Sequence, residues 1–279
     1  MTLTGSGPAY DPSADARPRR AGAPVPARTR VYGPERGLDR RVALVTGASS
    51  DIGAATARRF ALDGWQLLLS GRDRYRLERA AAGTSAVVLP ADLAAPDGPR
   101  LLARSALHTT GRIDVLVAGA AIGWTGPFAA MPHTDIDRVL TLDLNATLHL
   151  VREVLPTMIA AGRGRVVLLG ALADGSGVRQ EAVYCAARAG LAAFAGALRR
   201  ELRGTGVGVT LIVPGPADPD PRTRRTGPAP GTGRLTPGDV AATIFDAVRR
   251  HRDEPHLPPP PRPRAPGPAL YRRLRSRRT

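Results

Sequence analysis

Six short apolar segments, separated by helical patterns, constrain the fold of this chain more than any other feature. The apolar segments lie at 41–45, 66–70, 86–90, 114–118, 165–169 and 208–213. The helical patterns lie at 52–62, 74–82, 97–109, 135–160, 182–203 and 237–250. Strands of about five residues that are apolar throughout are typical of a parallel sheet covered by helices on both faces. Right-handed crossovers then predict an α/β fold with a doubly wound parallel sheet.

The two ends of the chain differ from this central part. Residues 1–38 mix Gly, Pro, Ala and Arg without periodicity, and residues 258–268 read PPPPRPRAPGP. Proline lacks the backbone N–H that helices and central strands need, so neither end is expected to join the core. We therefore predict one folded domain at 39–261, a disordered extension at 1–38 and a basic Pro/Arg-rich tail at 262–279.

The net charge of +16 raises the question of a nucleic-acid partner. Residues 1–41 contribute +4 and residues 249–279 contribute +8, so most of the charge lies on the ends rather than on a folded face. We therefore expect no specific nucleic-acid binding. No apolar run reaches the roughly 18 residues that span a bilayer, so no membrane segment is expected. The single cysteine, Cys185, predicts no internal disulfide and suggests a cytoplasmic protein, and the spacing of the five histidines predicts no metal site.

The first apolar segment leads directly into a glycine-containing turn, Thr46 to Gly53, and then into a helix. Glycine permits a tight turn, and the backbone N–H groups at a helix start attract a phosphate group. A strand, such a turn and a helix in succession favour a dinucleotide site, with a plain strand-to-helix turn as the alternative.

This turn resembles the TGxxxGxG turn of the short-chain dehydrogenase/reductase family, with Asp51 in place of the middle glycine, and the resemblance extends over residues 40–250. It implies a Rossmann fold that binds a nicotinamide dinucleotide. The implied cofactor contacts in the turn are Gly47, Ser49, Ser50, Asp51, Ile52 and Gly53. Further contacts are implied at the ends of later strands: Asp92 and Leu93 beside the adenine, Gly119 after the fourth strand, and Pro214 and Gly215 beside the nicotinamide.

Arg72 follows the second strand, where family members that use NAD usually carry an acid. A guanidinium suits the 2′-phosphate of NADP through charge-assisted hydrogen bonds. The resemblance therefore implies that NADP(H) is preferred over NAD(H). The alternative is a solvated surface arginine.

Tyr184 and Arg188 stand where the family has Tyr-x-x-x-Lys on one face of a helix. The tyrosine is the family's acid/base, and the cation beside it favours the ionised phenol and binds the nicotinamide ribose. Arg188 keeps the charge but does not release a proton. All forty basic residues of this chain are arginine, so the replacement follows its general composition.

Two further catalytic positions are implied by the resemblance. Asn145 matches the family's helix-kinking Asn, with an ordinary helix Asn as the alternative. Counting thirteen residues back from Tyr184 places Ala171 where many members have the catalytic Ser, and Ser176 is the nearest hydroxyl that could substitute.

Together these residues predict an NADP(H)-dependent oxidoreductase that transfers hydride between nicotinamide and a carbonyl or alcohol substrate. The alternative is a catalytically impaired or silent dinucleotide-binding protein or partner subunit. The family resemblance and the small residues of the Tyr184 helix also predict a homo-oligomer, a dimer or a tetramer.

Overall fold

The computed structural model describes residues 40–170, 178–213 and 235–254. Six strands form one sheet in the order β3-β2-β1-β4-β5-β6, and all neighbouring strands are parallel. The strands are β1 Val42–Thr46, β2 Gln66–Gly71, β3 Val87–Pro90, β4 Val115–Ala118, β5 Gly164–Leu169 and β6 Val207–Ile212. This confirms the predicted fold class, because the strand order reverses between β1 and β4 as in a doubly wound Rossmann sheet.

Helices cover both faces of the sheet. They are α1 Asp51–Leu62, α2 Arg74–Ala81, α3 Gly98–Thr110, α4 His133–Leu140, α5 Ala146–Ala160, α6 Ala182–Glu201 and α7 Pro237–Arg249. Alternate residues of β1 enter opposite cores: Leu44 packs with residues of α3, α5 and α6, and Val45 packs with residues of α1 and α7. Burial on both faces explains why the strands are apolar throughout rather than alternating.

The ends of two helices follow the expected capping chemistry. The Ser50 hydroxyl accepts a hydrogen bond from the N–H of Gly53 at the start of α1. Thr236 and Asp239 form a reciprocal capping box at the start of α7, where Pro237 occupies the first turn. Helix α7 therefore begins at Pro237, where the helical pattern at 237–250 placed its start.

The single helix predicted at 135–160 is interrupted, and this prediction is corrected. Helix α4 ends at Leu140, a π-helical turn covers Thr141–Asn145, and α5 continues from Ala146. A π turn inserts an extra residue into the helical ladder, and such turns occur often at functional sites. The apolar pattern alone did not reveal the interruption, whereas the resemblance at Asn145, the last residue of the π turn, implied a kink in this helix.

The carboxyl ends of the strands meet at one edge of the sheet, where ligands of doubly wound folds bind. The turn after β1 and the loop after β4 lie side by side at this edge, at the point where the strand order reverses. Within the described ranges, no helix is long and apolar enough to cross a membrane.

Candidate functional site

The turn after β1 has no room for side chains at its two outer glycines. Gly47 has a φ of +66°, and a Cβ there would lie 2.5 Å from the carbonyl oxygen of Gly119. A Cβ on Gly53 would lie 2.3 Å from the carbonyl oxygen of Gly47. The turn is therefore folded tightly enough that glycine is required at both positions.

Ser50, rather than Asp51, caps helix α1. The Ser50 hydroxyl donates to the carbonyl oxygen of Gly47 at 2.8 Å and accepts from the N–H of Gly53 at 3.1 Å. Asp51 is the exposed first residue of the helix, where the positive end of the helix dipole favours its carboxylate. The middle glycine of the family turn is thus replaced without loss of the turn itself.

Thr46 ties the turn to the loop after β4. Its hydroxyl oxygen accepts from the N–H of Gly119 at 3.1 Å and from the N–H of Ala120 at 3.3 Å, and it lies 3.4 Å from the carbonyl oxygen of Val117. Where many family members have two asparagines after the fourth strand, this chain has Ala118-Gly119. The threonine maintains the connection between β1 and β4 at this edge.

A cleft of about 200 Å³ opens along this edge of the sheet. It brings together six of the residues that the sequence predicted as cofactor contacts, namely Gly47, Ser49, Ser50, Arg72, Leu93 and Gly119. Ile52 is half-buried behind the turn, and Asp92 is exposed in an adjoining groove with its Oδ1 accepting from the N–H of Ala94. These placements leave Asp92 beside the cleft and Ile52 and Gly53 in its supporting turn.

The chemistry of the cleft suits the phosphate-bearing part of a dinucleotide. Its lining includes Gly47 and Gly119, whose missing side chains let a ligand approach the backbone, and it includes Ser50, which caps helix α1. The N–H groups of a helix start favour a pyrophosphate. Arginine side chains also line the cleft, so both features suit a ligand rich in phosphate.

Two arginines line the cleft near the end of β2. Arg72 is exposed there, and Arg76, one turn into α2, reaches the carbonyl oxygen of Ser49 with its Nη2 at 3.3 Å. The sequence did not single out Arg76, because α2 also contains Arg74 and Arg79 and spacing alone does not show which of them faces the cleft. This part of the cleft therefore offers two cations instead of one.

Tyr184 and Arg188 lie one turn apart on α6, as their spacing predicted. The guanidinium carbon of Arg188 is 5.0 Å from the centre of the Tyr184 ring, within the range of a cation–π contact. Arg188 is 3% exposed and donates through Nη1 to the carbonyl oxygen of Leu169, at the carboxyl end of β5, at 2.7 Å. The helix thus holds the tyrosine and the cation at the edge of the sheet where the cofactor cleft opens.

A buried carboxylate, Asp143, pairs with Arg188. Its Oδ2 lies 3.3 Å from Nη2 of Arg188, and its Oδ1 accepts from the N–H of Ile122 at 2.7 Å. Burial raises the pKa of Asp143 to about 6, and the opposing effects of Arg188 and the Ile122 N–H are smaller. The cation beside Tyr184 therefore stands next to a compensating negative charge.

The sequence predicted Asn145 in this region and missed Asp143. Asn145 is the exposed last residue of the π turn, whereas Asp143, at the centre of the turn, is fully buried and faces Arg188. The available signal was an acid flanked by two leucines inside an apolar helix, since a charged residue in that setting needs a partner. The catalytic role of Asn145 stays a prediction.

Four predicted positions lie outside the described residues. They are Ala171 and Ser176, in the segment after β5, and Pro214 and Gly215, in the segment after β6. Within the described ranges, no group of His, Cys, Asp and Glu side chains is arranged to hold a metal ion.

Comparison with known proteins gives consistent matches. The family model for short chain dehydrogenases matches residues 41–227. The chain is 32% identical over 224 residues to a ketoacyl reductase, HetN, of Nostoc sp., which covers 78% of each chain. A metagenomic short-chain oxidoreductase solved in complex with NADP superposes with a TM-score of 0.65 at 33% identity, covering 75% of this chain and 90% of that one. An NAD⁺-bound xylitol dehydrogenase superposes with a TM-score of 0.61 at 30% identity, covering 64% and 72%.

The family model spans the β1 turn, the cleft arginines and the Tyr184 helix, so the match covers the residues from which the site is built. With a relative more than 30% identical over most of both chains, the chain belongs to the short-chain dehydrogenase/reductase family of oxidoreductases.

Proposed function

We propose that this protein is an NADP(H)-dependent oxidoreductase that interconverts a carbonyl compound and its alcohol. The observation that carries the proposal is the placement of Tyr184 against Arg188, with Arg188 anchored on the carbonyl oxygen of Leu169 at the edge where the dinucleotide cleft opens. Relatives and structural neighbours described as a ketoacyl reductase and as an NADP complex support it.

Each residue has a definite task in this reaction. A nicotinamide dinucleotide held by the β1 turn and the cleft residues would supply or accept the hydride at the substrate carbon. The Tyr184 hydroxyl donates a proton to the substrate oxygen as negative charge develops there, and it recovers that proton from solvent. Arg188 provides positive charge beside the phenol, and the glycines of the β1 turn let the cofactor approach the backbone.

NADPH consumption with a panel of ketones, followed by nicotinamide absorbance, tests the proposal. We expect measurable turnover in the full-length chain and none in Tyr184→Phe, because the phenol is the proton donor in this arrangement. Tyr75→Phe is the matched control, since Tyr75 is an exposed residue of α2 that does not line the cleft. Equal rates in the unmodified chain and Tyr184→Phe would refute the assignment.

We further propose that NADP(H) binds better than NAD(H), through Arg72 and Arg76 together. A 2′-phosphate at this end of the cleft would meet both guanidinium groups and the Ser49 region to which Arg76 is already bonded. A charge-assisted hydrogen bond contributes about 1.5–3 kcal/mol, or roughly tenfold to a hundredfold in affinity.

A second candidate function is dinucleotide binding without turnover, as a silent member or partner subunit. It is favoured by the Asp143 carboxylate, which offsets the charge of Arg188, and by alanine at position 171. NADPH binding measured by fluorescence, without turnover of any ketone, would support this alternative over the enzyme.

The proposal includes a cytoplasmic homo-oligomer. Helix α6 exposes a continuous line of alanines at positions 182, 186, 189, 193 and 197, which suits close packing of a second copy. Light scattering at micromolar concentration should therefore return a multiple of 29.3 kDa. A monomer under those conditions would remove this part of the proposal.

A further inference from the structure

The environment of Arg188 leaves its guanidinium little freedom. One nitrogen bonds the Leu169 carbonyl oxygen on β5, another faces Asp143 on the π turn, and the guanidinium plane lies near the Tyr184 ring. Among the described residues, none accepts a hydrogen bond from its buried Nε. The cation is thus held by groups from β5, the π turn and α6, and its Nε–H has no acceptor among the described residues.

Asp143 is the one charged group among these contacts that can compensate Arg188. It is fully buried, so its carboxylate has lost its hydration and depends on Arg188 and on the N–H of Ile122. The dependence is mutual, because removing one member of a buried pair leaves an uncompensated charge in a medium of low dielectric. The effect of replacing either residue therefore depends on whether the other is present.

We propose that Asp143 is a positioning residue for Arg188, and that the two form one charge-compensated unit which holds the cation for the cofactor. This inference rests on the proposed function, because the task assigned to Arg188 is to support the dinucleotide and Tyr184. The carboxylate holds Nη2 of the guanidinium while the Leu169 carbonyl holds Nη1, so that Arg188 acts as a fixed cation and does not move between cofactor and solvent.

Because the two residues act as one unit, a substitution of either one alone disturbs the position of the cation. In Arg188→Lys the shorter side chain ends in one ammonium, which cannot reproduce the fork that joins Leu169 to Asp143, and the carboxylate draws it away from the cofactor. In Asp143→Asn the guanidinium loses its charged anchor. In the double variant the amide keeps an acceptor for the Ile122 N–H, but the charged pair is already broken, so the second substitution neither restores the site nor adds a separate loss.

Guanidinium proton NMR of the full-length chain tests the positioning directly. Arg188 should give slowly exchanging Nη–H signals, identified by their absence from Arg188→Lys, and Asp143→Asn should abolish them. Asp114→Asn is the matched control, because Asp114 also pairs with arginines and accepts a backbone N–H, from Val42 at 2.8 Å, but precedes β4 at the opposite edge of the sheet. Persistence of the Arg188 signals in Asp143→Asn would overturn the proposal.

NADPH affinity, measured on the folded fraction of each variant, tests the functional coupling. We expect each single variant to bind about tenfold more weakly and the double variant about tenfold more weakly as well, rather than about a hundredfold, a strong departure from additivity. Additive losses, or an unchanged affinity in Asp143→Asn, would show that Asp143 is merely structural. If the unmodified chain binds no NADPH, the proposed function fails, and the NMR result alone decides whether Asp143 positions Arg188.

Discussion

The carbonyl oxygen of Gly47 occupies the position into which any side chain on Gly53 would project, because a Cβ there would lie only 2.3 Å away. Real Cβ atoms do not approach a backbone oxygen so closely, and the oxygen also accepts the hydroxyl of Ser50. The first and last glycines of the β1 turn therefore define each other's geometry.

Gly53→Ala should damage the cofactor turn. The methyl group must displace the Gly47 backbone, which we expect to cost about 1–3 kcal/mol in unfolding free energy, as overpacking does, and to weaken NADPH binding. Gly196→Ala is the control, because nothing lies within 4 Å of a Cβ at that position of α6 and alanine favours helix. Thermal unfolding and NADPH titration of both variants provide the measurement; equal behaviour of the two would contradict the packing argument.

Arg72→Ala and Arg76→Ala should each reduce the preference for NADP(H) over NAD(H). Arg72→Ala is expected to remove most of it, about tenfold or more, and Arg76→Ala a smaller part, while NAD(H) affinity changes little because the 2′-phosphate is the group that both contact. Isothermal titration with both cofactors measures the ratio. Arg79→Ala, on the same helix but outside the cleft, should leave the ratio unchanged.

The unfolding free energy should fall as the pH rises from about 4 to about 6, through the Asp143 carboxyl. Its pKa is raised to about 6 from an ordinary 3.8, so the folded chain holds the proton in this interval and the unfolded chain does not. The loss of stability from burying the ionised carboxylate is on the order of 2–3 kcal/mol; it is absent below the ordinary pKa and complete above the raised one. The unfolding free energy is measured by denaturant titration at each pH for the unmodified chain and for Asp143→Asn. The difference between the two should fall with pH over this interval.

Asp239 provides a comparison of opposite sign. Hydrogen bonds from Thr236 lower its pKa, so its contribution to stability is present above the ordinary pKa and is lost as the pH falls through the lowered one. For Asp143, the opposite result would be a difference in unfolding free energy, unmodified chain minus Asp143→Asn, that rises with pH. That result would mean that the attraction of Arg188 outweighs the effect of burial on the carboxylate.

The sheet could be predicted because its signal is local and repeated. Each strand is a short apolar run between helical patterns, and the strand boundaries are within one residue of the prediction at every end, as for 66–70 against Gln66–Gly71. The cofactor turn was predictable for a similar reason, since Gly47 and Gly53 are needed for backbone geometry that the sequence order alone specifies.

The catalytic edge was less predictable because its partners come from distant segments. Arg188 and Asp143 are 45 positions apart, and only the fold shows that they meet. The residue of the π turn that pairs with Arg188 is Asp143, whereas the family resemblance had directed attention to Asn145 in the same turn. Arg76 could not be predicted as a cleft residue for a different reason. Helix α2 carries several arginines, and the sequence does not show which of them faces the cleft.

Reductase activity of the unmodified chain should be low, and Ala171→Ser should raise it. A hydroxyl at that position would donate to the substrate oxygen where negative charge develops, and loss of one such donor costs on the order of 10²–10³ in rate. Ser176→Ala tests the nearest alternative hydroxyl. If the unmodified chain already reduces a ketone at an ordinary enzymatic rate, and Ala171→Ser changes nothing while Ser176→Ala abolishes the activity, Ser176 supplies the donor.

Restoring a lysine beside Tyr184 should not help, whether or not Asp143 is changed with it. With Asp143 present, the ammonium of Arg188→Lys is drawn to the carboxylate, so the Ala171→Ser, Arg188→Lys chain should gain little over Ala171→Ser alone. Adding Asp143→Asn should not raise kcat further, because the ammonium then stands at a buried position without a counter-charge. Steady-state kcat and KM for a single ketone measure this, with Tyr184→Phe in the triple variant as the inactive control. A triple variant that binds NADPH but shows no turnover would favour the silent-binding alternative.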